Sequence, residues 1–488
     1  MNRARWRLKL ALALCIATGI ATAPAFAQSK SSPKSAHEAV AVRAPQPKAI
    51  DYDKLTQEAT DLLSKYIQIN TTNPPGNELT AAKFLKDKFI ADGIPATTWE
   101  PLPGRGIVAA RLHGIGKHQK ALLLLSHLDV VPADPKEWKT PPFSGEVKDG
   151  AIWGRGARDD KGPGVVFLMS MLAVKRAGIL LDRDILFVAT GDEEEGGIAG
   201  AGWFVDHQQP VYSDVAYVLN EGGFIRMLPN KKVYYAVAVT EKTPLWLRVT
   251  ANGPTGHSSQ PPAETSVTEL LRGLQRLVEY HPPIHLIGPV EDYFRAMAQL
   301  GEGPKQWLDL AAALRDPVFQ KQFLAVPEQN ALVRDTLTPT VLGASSAVNV
   351  LPATAYAELD CRLLPGSDSK AVVATIDKAL NDKNLKTEVV RNWPPVSSPH
   401  KSELMSAIQA LARHMDKDAP VLPTLIAGFT DSHYFRQKGI IAYGFVPIEV
   451  THPEEPKGIH GNDERISVDE LEGGIRRTVE LLKIMGGR

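Results

Sequence analysis

The amino-acid sequence predicts an α/β fold in which helices cover a mostly parallel sheet, with a small α+β domain inserted into it. Two observations support this prediction. Continuous apolar runs alternate with helical patterns over most of the chain, as expected for parallel strands that are buried on both faces. Between about residues 243 and 393 the strand-like segments instead alternate polar and apolar residues, which is typical of strands with one exposed face.

The first 27 residues have the layout of a secretory signal peptide. Three arginines and a lysine precede an apolar run from Leu10 to Ile20, and Ala25 and Ala27 supply small residues at a cleavage position. Residues 28–50, rich in Ser, Pro, Lys and Ala, are predicted to form a disordered tether. The signal peptide predicts a periplasmic or secreted protein, and no other stretch is apolar and long enough to predict a stable membrane anchor.

The composition argues against nucleic acid as a partner. The 55 basic and 55 acidic residues give a formal net charge of 0, and removal of the signal peptide with its four positive charges would leave −4. No basic block remains that would bind a phosphate backbone. Cys361 is the one cysteine outside the signal peptide, so no internal disulfide is expected, and its thiol is predicted to be buried and inert.

Two stretches, 51–242 and 394–488, are predicted to form the catalytic domain. Helical spacing, with Gly93 and Gly178 as stop signals and a capping box at Ser467 and Glu470, predicts helices over residues 56–68, 80–92, 162–178 and 467–485. Continuous apolar runs predict core strands at residues 121–125, 185–190, 215–220 and 440–447.

Residues 243–393 are predicted to form an inserted lid domain. Residues 245–251 and 354–364 alternate like half-exposed strands, and residues 265–280 have the pattern of an amphipathic helix. Within this domain, residues 281–340 are predicted to be a long, partly helical excursion.

Polar side chains follow the predicted core strands at the points where the strands end. His127 and Asp129 follow the first run, four acidic residues from Asp192 to Glu195 follow the second, and Glu221 follows the third. His460 comes after the last run, and a glycine-rich turn introduces Asp159. In open α/β sheets the carboxyl ends of the strands face one crevice, so we expect these groups to converge there.

Carboxylates gathered in one crevice repel each other, and a divalent cation relieves that repulsion. Mixed imidazole and carboxylate ligands suit zinc, or less tightly cobalt or manganese. The groups are too numerous for one tetrahedral shell, which favours two ions bridged by a carboxylate.

Seven motifs support a specific family resemblance. They are SHLDVVP, GRGARDDKG, DEEEGG, NEGGF, GHSSQPP, NVLPATAYAELDCRLLPG and GIHGNDE, in order from about Tyr52 to the C-terminus. Together they resemble the co-catalytic zinc metallopeptidase family of aminoacylase, glutamate carboxypeptidase, succinyl-diaminopimelate desuccinylase and carboxypeptidase S. The forms NEGGF and GHSSQPP are most similar to the branch of carboxypeptidase S and the secreted N-acyl-amino-acid hydrolases.

The resemblance implies a role for each residue of the predicted centre. His127 and Glu221 resemble the ligands of one zinc, Glu194 and His460 those of the other, and Asp159 the bridge. Glu193 matches the general base, and Asp129 matches the carboxylate that orients the imidazole of His127. The family also implies a cis peptide bond between Asp159 and Asp160.

Four further residues match substrate-binding positions of the family: His257, Asn349, Arg362 and Gly428. Strand alternation places Arg362 on one face with Glu358 and Asp360, and we expect Arg362 and His257 to point into a cleft. In dimeric relatives the matching histidine serves the neighbouring subunit, so the resemblance allows a homodimer through the lid domain. His433 departs from the family, whose members often carry arginine there.

The resemblance implies hydrolysis of an amide bond next to a free carboxylate, in a small peptide or an N-acyl amino acid. One alternative is a non-catalytic extracytoplasmic binding protein, although such a protein would be expected to have lost a ligand or the base. A metal-dependent isomerase or transferase would need a further cofactor site, and the sequence offers none. Synthesis of N-acyl amino acids by the reverse reaction is a third alternative.

Overall fold

A mixed sheet of ten strands forms the largest element of the structure, a computed structural model that describes residues 46–116, 120–450 and 459–487. The predicted signal peptide and most of the predicted tether lie outside these residues. In chain order the strands are β1 (Ala96–Trp99), β2 (Ile107–Leu112), β3 (Ala121–His127), β4 (Val147–Lys148), β5 (Ala151–Trp153), β6 (Ile185–Thr190), β7 (Val215–Asn220), β8 (Ile225–Met227), β9 (Val233–Glu241), β10 (Thr243–Asn252), β11 (Gly256–His257), β12 (Thr336–Gly343), β13 (Val350–Leu351), β14 (Thr354–Leu363), β15 (Leu385–Asn392), β16 (Val421–Ile426), β17 (Ile441–Gly444), β18 (Glu449–Val450) and β19 (Arg465–Ser467).

Helices cover both faces of this large sheet. Buried side chains of α1, α2, α3, α12 and α14 pack on one face, and those of α4, α5 and α13 pack on the other. The helices are α1 (Tyr52–Ile67), α2 (Glu78–Ala91), α3 (Lys161–Arg176), α4 (Trp203–His207), α5 (Gln209–Tyr212), α6 (Ser266–Glu279), α7 (Gly288–Leu300), α8 (Leu310–Ala313), α9 (Pro317–Leu324), α10 (Pro327–Val333), α11 (Ser369–Leu380), α12 (Glu403–Met415), α13 (Ser432–Gln437) and α14 (Val468–Met485). The predicted α/β fold is confirmed.

The order of strands in the large sheet is β1-β2-β6-β3-β7-β17-β9-β8-β18, with β16 paired to β9. Its central strands β6, β3, β7 and β17 run parallel, as their continuous apolar sequences predict. His127 at the end of β3 is in register with Thr190 at the end of β6. The residues that follow these strands therefore emerge at the same edge of the sheet.

Most predicted elements of the large sheet and its helices lie close to their observed bounds, but the first helix and the last core strand differ. The first helix begins at Tyr52 rather than at residue 56, because the side chain of Asp51 caps it by accepting a 3.1 Å hydrogen bond from the Lys54 amide. The last core strand covers 441–444 rather than 440–447. Beyond Gly444 the chain leaves the strand ladder, and the Phe445 and Val446 amides donate to the Asn220 and Gly223 carbonyls.

A second, antiparallel sheet has the strand order β12-β14-β10-β15. One face packs on α6 and α11, and the burial of β14 alternates residue by residue, as its sequence predicts. Cys361 lies on the buried face, and burial raises the pKa of its thiol to about 12. The predicted burial of this thiol is confirmed.

The helices α7 to α10 pack away from the second sheet. Their apolar residues contact Leu425 of β16, and Met297 packs with Leu228 and Leu422, so they lie against an edge of the large sheet. The predicted excursion over 281–340 ends too late, because Thr336 already pairs with Arg362 as the first residue of β12. Within the described ranges no helix is both long and apolar enough to cross a membrane.

Candidate metal centre

Two imidazoles and four carboxylates meet beyond the carboxyl ends of β3, β6 and β7. Ligand atoms of His127, Glu193 and Glu221 lie within 4.8 Å of one another, and so do those of His127, Asp159 and Glu194. His460 joins them from the segment that precedes β19. The structure thus brings together every residue predicted for the centre.

The imidazole of His127 is held from both sides. Its Nδ1 lies 3.0 Å from the backbone oxygen of Asp129 and 3.5 Å from the Asp129 carboxylate, which fixes the proton on Nδ1. Its Nε2 then carries a lone pair that a metal ion could take, and it lies 2.9 Å from Oδ1 of Asp159 and 3.8 Å from Glu221. The backbone oxygen makes the closer contact, so the carboxylate of Asp129 is not the main partner of this imidazole.

Asp159 stands between the two histidines. Its Oδ1 faces Nε2 of His127 at 2.9 Å, and its Oδ2 faces Nε2 of His460 at 3.1 Å. Nε2 of His460 is also 3.1 Å from Oε2 of Glu194. The peptide bond between Asp159 and Asp160 is cis, as predicted.

Glu193 and Glu194 lie on a short 3-10 helix, Glu193–Glu195, directly after β6. The buried carboxylate of Asp129 accepts hydrogen bonds from the backbone amides of both residues, each at 3.1 Å. It also accepts a 2.8 Å hydrogen bond from the side chain of Asn73. Asp129 therefore positions the acidic turn with its carboxylate and the imidazole mainly with its backbone oxygen, a division that His-x-Asp spacing does not indicate.

The pKa values of three groups in this centre are shifted far from their usual range. Burial, and next the charge of Glu221, raise the pKa of Glu193 well above its usual range. Burial and the charge of Asp159 do the same to the pKa of Glu221. Hydrogen bonds to Asp159 and Glu194 raise the pKa of His460 to about 10. Crowded carboxylates beside basic imidazoles are the electrostatic pattern that a divalent cation relieves.

The distances between the candidate ligand atoms fit a divalent cation such as zinc. Two ligand atoms at about 2.0–2.1 Å from one tetrahedral zinc ion lie about 3.3 Å apart. The contacts among His127, Asp159, His460 and Glu194 measure 2.9–3.1 Å. Oε1 of Glu194 is buried and has no hydrogen-bond partner in the described part of the chain, so it is available to a ligand.

The loop that carries Asp159 is fixed by Glu464, the last residue of the motif GIHGNDE, to which the sequence analysis gives no role. The fully buried carboxylate of Glu464 accepts hydrogen bonds from the amides of Gly156, Arg158 and Asp159 at 3.0, 2.7 and 3.1 Å. It also pairs with the Arg155 guanidinium at 2.8 Å. Glu464 and Asp159 are far apart in sequence, so spacing could not reveal this contact.

We expect Glu464→Gln to destabilise the protein and weaken metal binding. The glutamine side chain would direct its NH₂ group toward backbone N–H groups, which are also donors. It would also leave the buried guanidinium of Arg155 without its charged partner, and breaking a buried ion pair costs about 3–5 kcal/mol. Urea denaturation measures the change in the free energy of unfolding. Glu472→Gln is the control, because Glu472 forms a partly exposed i,i+4 pair with Arg476, worth about 0.3–0.5 kcal/mol. Equal, small changes in the two variants would contradict the role of Glu464.

The predicted substrate-binding residues His257 and Asn349 lie together on an exposed two-stranded ribbon. His257 pairs with Val350 in the register of β11 and β13, and the Ser258 amide donates to the Asn349 carbonyl at 3.1 Å. His257 is exposed, and its Nδ1 accepts from the amide of Ser259. The expectation that His257 points into a cleft is wrong for the single chain, because the ribbon projects into solvent.

Arg362 and Gly428 occupy different environments. Arg362 is half-buried on β14, and its Nε donates to the carboxylate of Asp360 at 3.0 and 3.1 Å. Among the described residues no group accepts a hydrogen bond from Nη1 or Nη2 of Arg362. These two nitrogens of the planar guanidinium are therefore available to a ligand. Gly428 is exposed in the loop between β16 and α13, where Thr430 and Asp431 anchor the chain to Glu241 and Thr190.

His433, the position that departs from the family, is fully buried. Its Nε2 contacts the Gln437 amide at 2.8 Å, and its ring packs on Phe429. Burial, with the nearby charge of Arg436, lowers the pKa of His433 to about 3, so this imidazole is neutral. A neutral, buried imidazole cannot act as an arginine would on a charged substrate group.

An α/β sheet that presents two imidazoles and several carboxylates at its strand ends defines a candidate centre for divalent metal ions. The chain belongs to the peptidase family M20/M25/M40, whose sequence model matches residues 123–484. The family resemblance of the seven motifs is therefore confirmed, and the protein is an enzyme of the metallopeptidase type.

Relatives and solved structures agree with this assignment. The chain is 32% identical over 369 residues to the N-fatty-acyl-amino acid synthase/hydrolase PM20D1 of Xenopus tropicalis, covering 74% of this chain and 72% of that one. It is 28% identical over 397 residues to the probable carboxypeptidase S-like 2 of Dictyostelium discoideum, covering 79% and 73% of the two chains. The fold matches the M20 family metallo-carboxypeptidase Sso-CP2 from Sulfolobus solfataricus with a TM-score of 0.68 at 21% identity, covering 88% and 100% of the two chains.

Proposed function

We propose that this protein is an exported, zinc-dependent hydrolase that cleaves the amide bond next to a free carboxylate, in a small peptide or an N-acyl amino acid. The observation that carries the proposal is the position of Asp159, whose two oxygens each face a different imidazole within 3.1 Å. A single carboxylate between two histidines suits a bridge between two ions. The predicted signal peptide supports export to the periplasm or the exterior.

His127 and Glu221 would hold one zinc ion, Glu194 and His460 would hold the other, and Asp159 would be a ligand common to both. Cobalt or manganese could replace zinc. Bound zinc supplies a water of pKa near 7 and polarises the scissile carbonyl.

Glu193 is the proposed general base. Its carboxylate lies with His127 and Glu221, so distance alone does not separate it from the ligands. The resemblance assigns it the base, and its position beside His127 and Glu221 suits a group that takes a proton from a water held there. Glu193 accepts the proton of the attacking water and donates it to the leaving nitrogen. Asp129 holds both Glu193 and His127 in place for this step.

The second sheet is proposed to belong to a lid domain, residues 243–393, that recognises the substrate carboxylate and pairs with a second copy. The free fork of Arg362 would grip the carboxylate with two parallel hydrogen bonds. His257 and Asn349 are exposed, as residues that complete a neighbouring subunit's site would be, and His257 would then stabilise the oxyanion. Exposed Leu342 on β12 and Val389 on β15 would be covered in such a homodimer.

Reverse synthesis of N-acyl amino acids is a second candidate function. The Xenopus relative is described as both a synthase and a hydrolase. Because a catalyst accelerates a reaction in both directions, substrate concentrations would decide which one prevails.

A mixed substrate panel tests the proposed function directly. The zinc-loaded protein would be incubated with dipeptides and N-acyl amino acids, and the products separated by liquid chromatography. We expect release of amino acids with free carboxylates, and cleavage of carboxylate-blocked analogues that is at least about tenfold slower. Equal cleavage of free and blocked substrates would contradict the proposal.

We expect Arg362→Ala to lose selectivity for a free carboxylate. The guanidinium provides charge-assisted hydrogen bonds worth about 1.5–3 kcal/mol, which corresponds to about tenfold to more than a hundredfold in kcat/KM. The measurement compares free and amidated substrates in the wild type and the variant. Arg248→Ala on β10 is the matched control, because Arg248 already pairs with Glu358 on the same sheet. An unchanged preference in Arg362→Ala would refute the role.

A further inference from the structure

An apolar cavity of about 150 Å³ lies directly beside the metal centre. Asp159 and Glu221, two of the proposed ligands, form part of its wall. The rest of the wall is mainly apolar and includes Pro163, Phe224, Val446, Ile448, Val450 and Ile466. A group bound here would be adjacent to the atoms that carry out hydrolysis.

Backbone hydrogen bonds hold the segments that carry the apolar wall. Val450 is held where β18 pairs in parallel with β8, in the register Val450 with Arg226. The Val446 amide donates to the Gly223 carbonyl at 2.9 Å, and the Ile225 amide donates to the Ile448 carbonyl at 3.0 Å. These hydrogen bonds fix the wall next to Glu221, so the cavity is a feature of the sheet itself.

The chemistry of the wall selects the kind of group it can hold. Apolar side chains stabilise an apolar group by removing it from water, and most of this wall is apolar. A cavity of about 150 Å³ lined by aliphatic and aromatic residues is large enough to bind benzene. The cavity therefore suits an apolar group of about six carbon atoms.

The position of the cavity indicates which side of the scissile bond it receives. The lining residues that the structure describes lie within 158–163, 221–224, 446–450 and 459–466, and none of them belongs to the sheet that carries Arg362. If the carboxylate side of the substrate binds at Arg362, the cavity receives the opposite side. We propose that this cavity is the acyl subsite and that it selects an apolar acyl group of about six carbons over acetyl. This inference rests on the proposed function.

The test compares the N-acetyl and N-hexanoyl derivatives of one amino acid. Each methylene buried from water contributes about a fourfold gain, so the four additional methylenes should raise kcat/KM at least tenfold even when the group is only partly enclosed. Val450→Trp, at a partly exposed position of the wall, would fill the cavity and reduce this preference to about twofold or less. Met227→Trp on the paired strand β8 is the matched control, because Met227 is exposed outside the cavity and should leave the preference unchanged.

A second variant and a second measurement separate the cavity from the reaction. Phe224→Ala widens the cavity and should shift the preference toward longer acyl chains, with Met227→Ala as its control. Binding of hexanamide, followed by ligand-observed NMR, reports on the cavity without turnover. We expect the wild type and Met227→Trp to bind it and Val450→Trp to bind at least tenfold more weakly.

The outcomes distinguish the two proposals. A wild type that cleaves acetyl and hexanoyl substrates equally, or a Val450→Trp variant that keeps the hexanoyl preference, overturns the acyl subsite and leaves the hydrolase intact. A wild type that cleaves no N-acyl amino acid overturns the assigned substrate class. In that case hexanamide decides: selective loss of binding in Val450→Trp supports an apolar subsite, and equal binding in all variants overturns it.

Discussion

Glu193→Gln is expected to lower turnover by about 10²–10⁴-fold while both metal ions remain bound. The substitution keeps the size and polarity of the side chain but removes the carboxylate that takes the proton, and general acid–base catalysis has this magnitude. The backbone amide of residue 193 still donates to Asp129, so the acidic turn should keep its position. Steady-state turnover and metal content measured on the same sample check the expectation.

Glu194→Gln is the matched comparison, one residue along the same turn. Oε2 of Glu194 contacts His460, so this variant should bind one of the two ions more weakly and recover part of its activity at high zinc. Near-normal turnover in Glu193→Gln would reject Glu193 as the base. Loss of metal from Glu193→Gln would instead identify Glu193 as a metal ligand. The variant tests this role because the Glu193 carboxylate lies close to His127 and Glu221.

Asp159→Asn is expected to weaken the binding of both ions at once. An asparagine has one neutral oxygen in place of two charged ones, so it cannot face His127 and His460 with a ligand oxygen on each side. The loss should exceed the roughly 10–100-fold that follows removal of a group that merely supports a ligand. Metal titration of the purified protein measures both affinities.

The control for this variant is Asp184→Asn. Asp184 precedes β6, at the end of the strand opposite to the metal centre, and it accepts hydrogen bonds from Arg111 and the Gly114 amide. This change should affect stability and leave metal content unchanged. Selective loss of a single ion from Asp159→Asn would contradict a bridging role.

The sequence predicted best those strands whose bounds are set by their own apolar residues. Residues 185–190 and 215–220 form β6 and β7 over the predicted bounds, because continuous apolar runs have one stable place in a sheet covered on both sides. The start of α1 was misplaced because the cap, Asp51, lies outside the periodic stretch. The excursion after α6 was misplaced because its end depends on the pairing of Thr336 with a distant strand.

The centre was predictable for a related reason. Parallel strands deliver the residues at their carboxyl ends to one edge, so the order of the motifs was enough to bring His127, Glu194 and Glu221 together. The supporting contacts were not predictable. Asn73 reaches Asp129 from a proline-rich turn, and Glu464 reaches the loop of Asp159 through backbone amides that any sequence would possess.

The central claim is that Asp159 bridges two metal ions, and anomalous diffraction from crystals of the zinc-loaded protein tests it most directly. Data collected at the zinc absorption edge should contain two peaks per chain, about 3.5–4 Å apart, with the carboxylate of Asp159 between them. His127 and Glu221 should contact one peak, and Glu194 and His460 the other. A single peak, or two peaks that do not share Asp159, would contradict the account.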